Sequence, residues 1–214
     1  MITRVRFENF RSLVSSEFPL RPINLLIGAV ACGKSNLFKG LLLLQNSVNR
    51  SLSDMFPPGL GEFQWVRNRW AEEGKPLGFE IDIEQIRSDP GATATYLLRI
   101  GEGPSGPIVV EESLRRRSPN GESETVFERS SSGPREIQGF GLVDPRDSTL
   151  LHRAHRGYPA IDATSPQGIF AKEIARKLNR FGYYHLSASE LKSLGTSQNW
   201  DRIGYSGDRL PDFI

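Results

Sequence analysis

Cysteine is nearly absent from this chain of 214 residues, where Cys32 stands alone. A single cysteine excludes an internal disulfide and fits a reducing cytoplasm. Histidine is scarce too, with 3 in the chain. His152 and His155 are spaced to share a helix face as metal ligands, but Arg153 and Arg156 beside them repel cations. No carboxylate or cysteine lies near them at ligand spacing, so a basic cluster facing solvent or phosphate is the preferred reading. No apolar run reaches the roughly 18 residues that a membrane span needs, so no membrane partner is expected. The opening Met-Ile-Thr-Arg-Val-Arg-Phe alternates like a strand and lacks the apolar block of a signal peptide. Neither sign of charge dominates: the net charge is +2, too small by itself to argue for nucleic acid. No Ser/His/Asp triad, internal repeat or low-complexity tract can be assigned.

The length suits one large domain or two small ones, and a chain this size buries roughly 70% of its unfolded surface without staples. Arginine supplies 21 of the 27 basic residues. That preference fits phosphate recognition, and equally an arginine-rich genomic composition. Arg115-Arg116-Arg117 reads either as a nucleic-acid contact or as a solvated strand end.

Against these absences stands one complete motif. Residues 28 to 35 read Gly-Ala-Val-Ala-Cys-Gly-Lys-Ser, the phosphate-binding loop G-x-x-x-x-G-K-[ST], which chance would place in such a chain with odds of roughly 1 in 100. Leu25, Leu26 and Ile27 precede it as a buried parallel strand would. A helix from Ser35 to about Asn49 should follow, with Leu41–Leu44 buried on several sides. Gly28 and Gly33 are expected to supply positive φ and close backbone approach. The N–H groups of Gly28, Ala29, Val30, Ala31, Cys32 and Gly33 would then cradle phosphate at a helix N-terminus that extends through Asn36. Lys34 is the expected catalytic residue, reaching the β- and γ-phosphates of ATP, and the Ser35 hydroxyl should bind Mg²⁺. Cys32 reads either as a reactive thiol beside Lys34 or, preferably, as a small buried filler.

The rest of the chain gives a coarse architecture. Residues 2–7 and 12–18 read as strands joined by a turn at Glu8-Asn9-Phe10-Arg11. Leu77–Glu84, Thr93–Ile100, Ile108–Arg115 and Thr125–Glu128 alternate with Gly/Pro/Asn turns, the pattern of antiparallel hairpins. Gly133 to Asp147 reads as loop or short strand. A second helix is signalled by Ser165 as cap, Pro166 in the first turn and Gly182 after its end, with Ile169, Phe170, Ile174 and Leu178 on its apolar face. Phe181–Leu186 then reads as a strand. The expected divisions are 1–50 (strand, loop and helix), 51–147 (antiparallel β) and 148–214 (helix and strand).

Taken together, Ile2–Ser12 with its Asn-Phe-Arg-Ser turn, Pro22–Gly28 and Gly33–Leu37 resemble the start of an SMC/ABC-type ATPase head. They are most similar to bacterial AAA-type ATPases of the OLD-like and RecF-like group. The likeness is strong over 1–46 and runs in order to the end. It implies an α/β P-loop NTPase fold with an antiparallel lobe and few helices, and ATP sandwiched between two copies. It implies a place for Arg11 near the phosphates and for Gln64, as a Q-loop-like glutamine, near Mg²⁺ or water. The alternative for each is an ordinary turn or loop residue.

Two departures bear on turnover. The family usually has Asn at the position of Val30 and Ser at that of Cys32, so hydrolysis should be slowed while backbone cradling survives. The family's signature motif, acidic strand end and switch histidine are not found in order. Ile108-Val109-Val110-Glu111-Glu112 is the lone candidate for the acidic strand, and it reads instead as part of the antiparallel sheet. The chain thus resembles an N-terminal half of a head, to be completed by a second copy, a second chain or a further segment. The resemblance implies a cytoplasmic ATPase coupling ATP to dimerisation and to DNA or an effector such as a nuclease, in DNA repair or antiviral defence. The alternative is an ATP-binding assembly module without intrinsic hydrolysis. A kinase is disfavoured by the Asn-Phe-Arg-Ser opening, and a GTPase by the lack of a guanine-reading Asn/Thr-Lys-x-Asp.

Overall fold

A computed structural model describes residues 1–55, 62–104, 106–130, 135–137, 141–150 and 165–180. It divides into Met1–Arg180 and Phe181–Ile214. The second unit lies outside the described residues, as do Gly182, the expected strand at Phe181–Leu186, His152 and His155.

Six strands make one antiparallel sheet in the order β2-β1-β3-β4-β5-β6. They are β1 (Ile2–Phe10), β2 (Leu13–Pro19), β3 (Leu77–Ile83), β4 (Thr93–Gly103), β5 (Gly106–Arg117) and β6 (Ser123–Arg129). The hairpins foreseen from turn residues between 77 and 128 are all present. β1 runs further than its alternation suggested, so the reversal falls at Arg11–Ser12, with Asn9 at φ 55° and Arg11 at φ 48°. A short pair, β7 (Arg135–Ile137) and β8 (Gly141–Val143), occupies the stretch that read as loop or strand.

The register explains why the sheet has one dry face. Val5 pairs with Ile81, Ile81 with Tyr96 and Tyr96 with Leu114. Phe7 pairs with Phe79 and Phe79 with Leu98. All of these are buried, as expected where successive side chains alternate between faces. Their neighbours on the other face are charged. Arg4 bridges Glu17, Glu80 and Asp82 across three strands, and Arg99 bridges Glu8 and Glu111. These pairs are half-exposed and contribute only about 0–1 kcal/mol each. Their larger effect is to fix strand register through opposite charges at cross-strand positions.

Two helices cover the dry face. Helix α1 (Lys34–Ser47) buries Leu37, Leu41, Leu43 and Leu44. It approaches β1 through Gly40, where a Cβ would stand 2.3 Å from the Phe7 ring. That ring packs in turn against Phe10 and Phe79, with centroids 5.8 Å away in each case. A one-turn helix, α2 (Phe63–Val66), lies outside the pattern read from sequence. Helix α3 (Pro166–Asn179) begins as expected, with the Ser165 hydroxyl accepting from the Gly168 N–H at 3.0 Å. It buries Phe170, Ile174 and Leu178, but Ile169 turns outward and is 46% exposed. The placement of Ile169 on the apolar face is thereby corrected: it precedes Phe170 and sits about 100° away around the helix. Gln45 of α1 and Asn49, just past its end, donate to the Asn179 carbonyl and side-chain oxygens at 2.8 and 2.9 Å, tying the two helices together.

One expectation fails outright. Residues 23–27 form no strand, and Ile23, Leu25 and Ile27 are 90%, 84% and 85% exposed. A parallel strand is stable only between neighbours that satisfy its backbone and cover both faces. None of the described strands pairs with this segment.

Candidate functional site

The loop from Gly28 to Ser35 leads directly into α1. Gly33 is the N-cap at φ 97°, a conformation that suits glycine, and its carbonyl accepts from the N–H of Asn36 at 2.9 Å. The second positive φ belongs to Ala31, at 64°, and not to Gly28. At Gly28 a Cβ would lie 2.8 Å from the Cys32 sulfur, so the exposed thiol would have to turn aside to admit a side chain there. No hydrogen bond from the backbone N–H of Gly33, Lys34 or Ser35 is made to another described residue. Gly28–Cys32 and Ser35 are exposed, and Lys34 and Asn36 are half-buried. Three free donors at a helix N-terminus form an arrangement that accepts an anion.

Lys34 folds back over this loop. Its Nζ donates to the carbonyls of Gly28 and Ala29, each at 2.7 Å, and lies 3.5 Å from Cys32 Sγ. An anionic ligand would have to draw the ammonium off two carbonyls. Cys32 is exposed, which corrects the reading of it as a buried filler. The loop projects from the domain, so there is no core at its position to fill. Val30 is 96% exposed.

The β1–β2 turn is joined to the loop. Ser12 Oγ accepts from Asn36 Nδ2 at 2.8 Å and would lie 3.1 Å from a Cβ on Gly33. The preceding residue, Arg11, is fixed by its backbone: its N–H donates to Val66 O at 2.8 Å and its carbonyl accepts from Asn68 Nδ2 at 2.5 Å. Asn68 also donates its own N–H to Asn9 O at 2.8 Å. Both residues held this way have positive φ, which an L side chain rarely adopts. Partial burial lowers the Arg11 pKa from its ordinary value. Residues 9–12, 33–36 and 63–68 are thereby assembled in one place, which brings Arg11 into the neighbourhood of the loop. Gln64 lies on α2 in this assembly, exposed, with its amide donated to Glu62 at 2.8 Å. Asn68 and Ser12 were not anticipated. Only the hydrogen-bonding capacity of their side chains hinted at them, and that is common to many loop residues.

The acidic pair on β5 is structural. Glu111 accepts from Arg99 at 2.6 Å. Glu112 is fully buried and accepts from Tyr96 Oη at 2.7 Å, Arg129 Nε at 2.9 Å, Ser148 Oγ at 3.0 Å, and Thr149 N and Oγ1 at 2.8 and 2.7 Å. Burial, and next the Glu112 charge, raise the Tyr96 hydroxyl well above its ordinary pKa. Arg116, the middle of the arginine triplet, pairs with Asp89 at 2.5 Å and stacks over Phe170. Arg115 and Arg117 are exposed. Among the described residues no cluster of three His, Cys, Asp or Glu side chains could hold a metal, and no helix is long and apolar enough to cross a membrane.

Comparison with known proteins agrees with the loop. The family model described as "AAA domain, putative AbiEii toxin, Type IV TA system" matches residues 23–198. No curated protein matches the chain.

Proposed function

The chain belongs to this family of AAA domains, which are P-loop NTPases, and from that premise we propose that it is the ATP-binding part of an SMC/ABC-like ATPase. The observation that carries the reading is the loop itself: Lys34 and Ser35 open α1 with the N–H groups of Gly33, Lys34 and Ser35 unused by other described residues.

In this reading the backbone donors of Gly28–Gly33 and the α1 N-terminus hold the phosphates. Lys34 exchanges the Gly28 and Ala29 carbonyls for the β- and γ-phosphate oxygens, and the Ser35 hydroxyl is the protein ligand for Mg²⁺. Bound Mg²⁺ supplies neutralisation of phosphate charge. Arg11, whose backbone is held by Val66 and Asn68, would add a guanidinium near the phosphates, and Gln64 is the candidate contact to Mg²⁺ or water. The donor set fits: a hydroxyl next to a lysine at a helix N-terminus suits a phosphate-bound, hard cation.

Hydrolysis is the weaker half of the proposal. Glu111 and Glu112 are committed to Arg99 and Arg129, so the acid that activates water has to come from elsewhere. The exposed apolar residues Ile23, Leu25 and Ile27 support completion by an added strand, from a second copy or a second half. Such an assembly would couple ATP to dimerisation and to an effector or DNA, in repair or antiviral defence. The second reading, an ATP-binding assembly module without turnover, is favoured by Val30 and by the commitment of those two acids.

Equilibrium ATP binding and steady-state ATPase rates of the wild type and Lys34→Ala test both. Binding should fall in the variant. Turnover that Lys34→Ala leaves unchanged would refute a catalytic loop, and binding without turnover would favour the module.

A further inference from the structure

Helix α3 carries its basic residues in a row. Lys172, Arg176 and Arg180 recur at intervals of four, which sets them on one side of the helix and spreads them over about 12 Å. Arg87, from the segment between β3 and β4, stands on the opposite wall. Together with Lys177 and Glu173 they line an open groove of about 300 Å³. Five cations thus face one carboxylate.

That carboxylate is already engaged. Glu173 accepts from the backbone N–H groups of Arg87 and Ser88 at 2.6 and 2.8 Å. Burial pushes its pKa up, but these bonds and Lys177 outweigh it, and the pKa lies below the ordinary value. Lys177 donates to the Gln85 carbonyl at 2.8 Å. Among the described residues, the side chains of Arg87, Lys172, Arg176 and Arg180 have no ion-pair partner. Surface helices commonly pair such cations with acids at four-residue spacing, and here the row is left unpaired. Arg176 and Lys177 sit in the last turn, where they complement the helix dipole. Lys172 and Arg87 have no such role.

We propose that this groove binds the phosphodiester backbone of nucleic acid, with Arg87, Lys172, Arg176 and Arg180 as the phosphate contacts. Three of the four are arginines, whose planar fork suits phosphate oxygens. Among the described residues no aromatic ring lines the groove, so none of them stacks on unpaired bases as single-strand sites do. It reads backbone and not sequence. The inference rests on the proposed function for its DNA partner and adds the site; no residue of the groove belongs to the loop, so failure of duplex binding and failure of ATP binding are read separately.

The test is fluorescence anisotropy of a labelled 20-base-pair DNA duplex with the full chain, at 50 and 200 mM salt. Four phosphate contacts predict a slope of log K on log salt near −3.6, or about a 150-fold loss across that range. Arg87→Glu with Lys172→Glu should weaken binding at least tenfold and flatten the slope by about 2. Neither residue is in the core, and circular dichroism together with unchanged ATP binding checks that the variant is folded. Arg87→Ala alone, which lies outside the helix, should give a smaller loss of the same sign. Duplex binding that neither variant weakens overturns the site. Absence of duplex binding at micromolar protein and 50 mM salt overturns the proposal. So does charge-dependent sedimentation with vesicles of 30% phosphatidylserine in place of duplex binding, which would assign the groove to a membrane surface.

Discussion

The buried pair of Glu112 and Arg129 gives the sharpest test of how this fold is held. Glu112 is 0% and Arg129 2% exposed, and the carboxylate gathers donors from Tyr96, Arg129, Ser148 and Thr149. Replacing Glu112 with Ala leaves a guanidinium in the interior without its counter-charge, and strands the Thr149 N–H as well, while the Tyr96 hydroxyl keeps Ser148 Oγ at 3.1 Å. Breaking a buried pair from one side costs about 3–5 kcal/mol. A domain of this kind has roughly 5–15 kcal/mol in total, so the variant should be close to unfolding. With a urea m-value of about 2 kcal/mol/M, the midpoint should drop by about 1.5–2.5 M at unchanged m. Arg129→Ala should cost a similar amount. The double variant should cost about 2–3 kcal/mol less than the sum, because the charge left behind by each single change is gone. Urea melts of the four proteins decide it. Additivity within about 0.5 kcal/mol, or a single loss below about 1 kcal/mol, would show that the network does not hold the sheet to residues 144–149. The same series tests the assignment of the acid as structural. Glu112→Gln, if folded, should bind Mg²⁺–ATP as the wild type does, and a tenfold weakening would show that Glu112 acts at the site and not only in the core.

Alkylation of Cys32 by iodoacetamide should be slowed at least several-fold by Mg²⁺–ATP, since the thiol is exposed on the loop; equal rates with and without nucleotide, followed by mass spectrometry, would remove the ligand from this loop. Gly40→Ala should cost about 1–3 kcal/mol, because the new methyl meets the Phe7 ring at 2.3 Å and the ring is packed on its other sides; an unchanged melting temperature would mean that α1 does not press on β1 there. The raised Tyr96 pKa makes the unfolded state the first to lose its proton. Stability should therefore fall as pH climbs past about 10, and Tyr96→Phe should flatten that limb of the pH–stability curve. On the acid side, burial raises the Asp82 carboxyl, but hydrogen bonds from Arg4 and Thr95 and the Arg4 charge outweigh it and hold it below its ordinary value of 3.8. Stability from Asp82 is present above that value and should be lost as pH falls below it, a dependence that Asp82→Asn should remove.

Much of this protein is written in short stretches of sequence. The P-loop needs only eight consecutive residues, so its position, its glycine at the helix cap and its leading role were legible at once. The hairpins were legible for a related reason. Alternation and turn residues act within ten positions, and β3 to β6 appear where those signals lie. Ser165 capping α3 is equally local. What the sequence could not determine depends on partners distant along the chain. Leu25–Ile27 have the composition of a buried strand, but a strand exists only beside another, and in the described fold Leu25 and Ile27 face solvent. Glu112 reads from sequence as part of the antiparallel sheet, as it proves to be, but its partners Arg129, Ser148 and Thr149 come from positions 17 to 37 residues away and only the fold reveals them. Arg87 is unremarkable in sequence and becomes part of a charged groove only because α3, more than 80 residues later, packs beside it. Local chemistry set the P-loop sequence and its helix cap; long-range packing decided which acids and bases are already paired.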